Sequence, residues 1–130
     1  MGLDNFASRI EELIWLTFED CQAFSNVDIN LCIGGSPGSF RGREYETLII
    51  NISGVWLGRP WIAPETVQEM YLMLMNCDPE TLLERYRQIA LDLDQEYSGD
   101  SLEKITADIL ELRKFFQICV DRGLGLIGQA

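Results

Sequence analysis

The sequence predicts a single α+β domain over residues 1–130. It expects an N-terminal helix, a central antiparallel β-hairpin with a candidate third short strand, then three helices with a C-terminal antiparallel helical hairpin. Three observations carry that reading. Apolar and polar residues alternate in two runs, residues 27–33 and 46–56, which is the period of a half-buried strand. Apolar residues recur at three- and four-residue spacing on either side of those runs, the period of a helix packed on one face. Apolar residues make up 47% of a chain of single-domain length, enough for one core.

Pairing the two runs sets Ile29 opposite Ile50 and Leu31 opposite Leu48, so their apolar faces coincide. A one-residue slip would destroy the match. Between them, Gly34, Gly35, Gly38 and Gly42 share a loop with Phe40, Arg41 and Arg43 and with no acid. The loop is longer than a hairpin needs, and such loops commonly carry function. Phe40 reads as an exposed aromatic anchor, and Arg41 and Arg43 as forked cations suited to carboxylate or phosphate. The competing role is a clasp onto the protein's own acids. The phosphate-cradling pattern that ends in Gly-Lys-Ser/Thr is missing here.

The first helix is expected from a cap at Asp4 or Asn5 to about Phe24, with Phe6, Ile10, Leu13, Ile14, Phe18 and Cys21 as its stripe. Trp15 and Leu16 widen that stripe, which makes Trp15 a candidate interface residue. Trp61 and Ile62 supply the candidate third strand, since two strands alone form a marginal sheet. Pro64 opens a helix that runs to about Asn76, with Met70, Met73 and Met75 read as core filling. Asp78, Pro79 and Glu80 make a strong helix start, and Ser98 with Gly99 a stop. Asp100 and Glu103 form a capping-box-like restart for a last helix that closes at Arg122 and Gly123. The apolar tail, residues 124–128, then has to dock somewhere.

The formal charge is −11, from 10 Lys and Arg against 21 Asp and Glu. Such a field repels nucleic acid and anionic lipid, so neither is an expected partner, and it attracts a basic protein. The four cysteines are widely separated and read as reduced, the N-terminus has no signal-peptide pattern, and no apolar run is long enough to span a bilayer. The cytoplasm is therefore the expected compartment.

The chain contains no histidine, which removes the commonest general base, the triads built on it and most zinc sites. No cofactor is expected, and a non-catalytic role is favoured. Asp92, Asp94, Glu96, Ser98, Asp100 and Glu103 are spaced in a way that is similar to a calcium-binding EF-hand loop. The pattern departs at Tyr97, where the sharp turn needs glycine, so this is a weak calcium candidate. The expected function is a small acidic cytoplasmic protein-binding domain (an inhibitor, an immunity- or antitoxin-type protein, or an adaptor) that engages a basic protein partner. Its candidate contacts are Phe40, Arg41, Arg43, Trp15, Asp92, Asp94 and Glu96. One alternative is a carboxylate-based or metal-assisted enzyme acting on a small anionic substrate. The other is a secretion-chaperone-like homodimer that completes the sheet or buries Trp15.

Overall fold

The chain begins in a strand. The computed structural model describes residues 4–27, 37–41, 43–92 and 102–129. In chain order these form β1 (Asp4–Ser8), α1 (Phe18–Phe24), β2 (Ser39–Arg41), α2 (Arg43–Ser53), α3 (Pro64–Asn76), α4 (Pro79–Asp92), α5 (Leu102–Arg122) and β3 (Gly125–Gln129). The class is α+β, with a three-stranded antiparallel sheet in the order β2-β1-β3.

Alternation along β1 sends Asn5 and Ala7 to the core and Phe6 and Ser8 to the other face. Across the ladder, Asn5 pairs with Phe40 and Ala7 with Leu126, so one sheet face delivers Ala7, Phe40 and Leu126 to a common core. Phe115, Phe116 and Cys119 of α5 meet them there, with Phe24, Ile49, Met70 and Leu74 from the other helices. Phe115 is the hub, with ring centroids 5.0 Å from Phe24 and 5.1 Å from Phe40, the latter edge-on. Leu48, Leu82 and Ile109 close a smaller cluster where α2, α4 and α5 meet. One polar pair is enclosed, with Asn5 Nδ2 donating to Glu46 Oε1 at 3.0 Å and tying β1 to α2.

The outer edge of β3 is covered by the segment before α3. Ile62 and Leu126 exchange both backbone hydrogen bonds, at 2.8 and 3.0 Å, and Gly128 N–H donates to the Arg59 carbonyl at 2.8 Å. This approach is so close that a Cβ on Gly128 would fall 2.3 Å from the Gly58 Cα, so glycine is required there. Covering the strand also removes a pairing edge. The Arg113 guanidinium donates to the Leu74 and Cys77 carbonyls, which fastens α5 to the C-terminal end of α3.

The order of elements corrects the sequence-based fold. Where an N-terminal helix is expected from Asp4 or Asn5, the structure has β1, a bend and the short α1, whose cap is Thr17. The three-four spacing of Phe6, Ile10, Leu13 and Ile14 is therefore accidental. Asn5 and Ala7 obey the strand period instead, and their partners lie 120 or so residues away in β3, where no local pattern reveals them. The second arm of the expected hairpin, residues 46–56, is mostly helix α2. A short apolar run fits both periods, and here Leu48, Ile49 and Ile52 face inward at helical spacing. The first arm lies, beyond Val27, outside the described residues. Ile62 makes one isolated bridge, not a strand. The chain ends in β3, not in a helical hairpin, because the tail expected to dock supplies the sheet's third strand. Local start signals read true: α3 opens at Pro64, and α4 follows Asp78, whose carboxylate accepts from Thr81 N–H at 2.8 Å.

Candidate interaction loop

Between β1 and α1 the chain makes a loop whose backbone is fixed and whose apolar side chains are left in solvent. The fixing starts at Ser8, the last residue of β1, which is fully buried. Its Oγ accepts from the backbone N–H of Trp15 at 3.0 Å and of Ile10 at 3.3 Å. Its proton has the Leu13 carbonyl at 2.8 Å and the Ile10 carbonyl at 2.9 Å within reach. Arg9 N–H closes the ring onto the Trp15 carbonyl at 2.9 Å. One serine oxygen thus serves as the hub for three backbone positions, the local competition with regular structure that serine is suited to make.

The base of the loop is locked by Asp20. Its carboxylate is buried and receives Arg9 through two bonds of 2.6 and 2.7 Å, from the other end of the loop. Arg122, the last residue of α5, adds a third at 2.5 Å, and the Thr17 backbone N–H a fourth at 2.9 Å. Thr17 Oγ1 in turn accepts from Asp20 N–H at 3.1 Å, completing a capping box at the start of α1. Burial alone would push the Asp20 carboxyl up. The bonds from Arg9, Arg122 and Thr17 outweigh it and hold the group well below the usual carboxylate range.

On this frame Ile10, Leu13, Ile14, Trp15 and Phe18 are 42, 55, 37, 48 and 73% exposed. Single exposed apolar residues are ordinary, but five within nine positions form the kind of patch that marks an interaction surface. Glu11, Glu12 and Glu19 are exposed among them. The first 40 residues hold one Lys or Arg, Arg9, and both it and Arg122, which reaches the loop's base from α5, are committed to Asp20. The surface is therefore an apolar centre in an acidic rim. A second exposed set, Leu72, Met73 and Met75 on α3, shares its helix face with Glu65, Gln68 and Glu69. Of the three methionines read as core filling, Met70 alone is buried.

Of the residues expected from sequence to bind a partner, Trp15 lies on this loop and is exposed. Phe40 is buried, 5.1 Å from Phe115 and 6.3 Å from Phe116 between ring centroids, so it is a core residue and not a surface anchor. Arg41 is exposed and clasps Asp4 through bonds of 2.5 and 2.9 Å across β2 and β1. Asp4 and Ser8 lie four residues apart along β1, roughly 13 Å, so Arg41 and the loop sit at opposite ends of the strand. Arg43 opens α2 and Asp92 ends α4, but both side chains lie outside the described residues, as do Asp94, Glu96, Asp100 and the side chain of Glu103. The calcium-like spacing therefore falls outside the described residues, among which no three His, Cys, Asp or Glu gather around a metal-sized space. Cys119 is buried, which pushes its thiol up, while Cys21 and Cys77 are half-buried and free. No helix among the described residues is long and apolar enough to cross a membrane.

Sequence reasoning missed Ser8, Asp20, Arg122 and the exposed Leu13 and Phe18. The signal for Asp20 is present in the capping-box spacing of Thr17 and Asp20, but a helically spaced apolar stripe runs straight through it. Comparison with protein-family models, curated proteins and solved structures finds no match for the chain.

Proposed function

We propose that the protein is a small acidic protein-binding domain of the cytoplasm, an inhibitor, immunity-type protein or adaptor, that engages a basic protein partner through the loop between β1 and α1. One observation carries this reading. Five large apolar side chains are held in solvent by a backbone that a buried serine and an aspartate gripped by two arginines keep in one shape. A loop already ordered before binding loses little entropy when it docks, so its apolar area goes largely into affinity. Finishing the burial of five half-exposed apolar residues is worth on the order of 1 kcal/mol each. The net charge of −11 supports a basic partner and a fast, salt-sensitive association. The enzyme alternative draws on Asp92 and Glu96 together with Arg41 or Arg43; Arg41 is paired with Asp4, and the other three side chains lie outside the described residues.

The test is a capture experiment from lysate at low salt, with the immobilised wild type beside a Leu13→Ser/Trp15→Ser double variant. The reading expects a basic, stoichiometric protein on the wild type. The double variant should bind that protein at least about 30-fold more weakly, because two anchors are lost. Capture of nothing basic and stoichiometric, or equal capture by the variant, contradicts it.

A further inference from the structure

The shape of the loop specifies the shape of what it binds. Residues 10–15 are exposed without interruption, whereas a helix or strand lying on a surface would hide every second or third residue. The cause is visible at Ser8: the backbone at Ile10, Leu13 and Trp15 curls around one buried oxygen, so side chains along the curl radiate outward. A convex apolar knob of this kind can be enclosed only by a concave counter-surface. A flat face would reach the tips alone.

From this we infer, on the basis of the protein-binding reading above, that the occupant is a concave apolar cleft with a basic rim on another protein, into which residues 10–15 and Phe18 insert as a plug. The charge on the page selects the rim. Glu11, Glu12 and Glu19 stand among the five apolar side chains, and the two arginines at the loop's base, Arg9 and Arg122, share the Asp20 carboxylate. Two copies of this loop would bring those acids toward like charge, and anionic lipid meets the same repulsion. The inference adds to protein binding a geometry, plug into cleft, and a charge for the rim.

The cleft can be imitated without knowing the partner. Per-amino-β-cyclodextrin has a concave apolar cavity and a cationic rim, and β-cyclodextrin has the same cavity with a neutral rim. Each is titrated into the isotope-labelled full chain, wild type and Leu13→Ser/Trp15→Ser, with amide shifts as the readout; a Trp56→Ser variant removes the other strongly exposed tryptophan. The expected result is shift changes confined to residues 10–18 and about tenfold tighter binding of the amino form at low salt, from two or three exposed ion pairs. That advantage should vanish at about 0.5 M salt, and the shift changes at residues 10–15 should be lost in the double variant, with an unchanged melting curve as the check that it is folded. Equal affinity for the two cyclodextrins overturns the basic rim while leaving loop docking intact. Shift changes outside residues 10–18 overturn the plug. Uptake of the loop by phosphatidylcholine vesicles, or a concentration-dependent dimer with the loop buried, overturns it in favour of a bilayer or a second copy.

Discussion

Asp20 and Asp4 each receive an arginine through two hydrogen bonds of nearly the same length, and the two clamps do different things. At Asp4 and Arg41 both partners reach water at the edge of the sheet, so the pair trades hydration for contact and gains little. The Asp20 carboxylate is wholly enclosed and holds two arginines and a backbone N–H, from the two ends of the loop and from α5. Each of those arginines keeps roughly a third of its surface in solvent. That access lowers the desolvation cost that usually cancels a buried ion pair. The lesson is that geometry alone does not rank ion pairs. What counts is how much of the structure depends on the enclosed charge, and here it fixes both ends of the exposed loop and the end of α5.

The sharpest way to break the comparison is Asp20→Asn, which keeps the shape and removes the charge. It should cost roughly 3 kcal/mol, at the low end for a broken buried pair because Arg9 and Arg122 retain water, or about 10 °C in melting temperature. The pH dependence follows from the direction of the shift. Because the folded carboxyl sits below its unfolded value, its stabilisation is fully present above about pH 4 and is lost as pH falls through the folded value. The gap between wild type and Asp20→Asn in chemical denaturation should therefore be constant from about pH 7 to 5 and narrow below about pH 4. A gap that persists unchanged in acid would show that the charge contributes nothing.

Ser8→Ala separates the hub of the loop from its base. Two backbone N–H groups lose their acceptor, for a cost of about 1–2 kcal/mol, with faster hydrogen exchange at Ile10 and Trp15 and no change at Thr17. Smallest is Arg41→Ala, which should leave the melting temperature within error because the clasp it breaks is solvated on both sides. A marked drop there would equalise the two clamps and undo the comparison.

These residues also show what the sequence could and could not disclose. Punctuation acts locally, and it was legible: Pro64, the Asp78 cap and Gly123, with its φ of +66°, mark element ends within a residue or two. Pairing acts at a distance, and it was not. Phe6 meets Ile127 across nearly the whole chain, so nothing near residues 4–8 announces a central strand, while accidental helical spacing announces a helix. Phe40 looked like a surface anchor because its neighbours are glycine, serine and arginine, yet pairing with Asn5 turns it into the core. Trp15 was legible only as a question. Its answer depends on Ser8 and Asp20, whose role in holding a loop needs three-dimensional contacts with residues up to 102 positions away.

The central claim is that the loop is exposed and rigid at once, and Trp15 reports both properties. In a chain with Trp56→Phe and Trp61→Phe, the remaining indole should emit as a solvated tryptophan and be quenched readily by acrylamide. Its anisotropy decay should nevertheless follow tumbling of the whole protein, and Ser8→Ala should introduce a fast local component. A blue-shifted, quencher-protected Trp15 would show that the patch is covered. Fast local motion already present in the chain that retains Ser8 would show that the loop is not held, and either result would contradict the account.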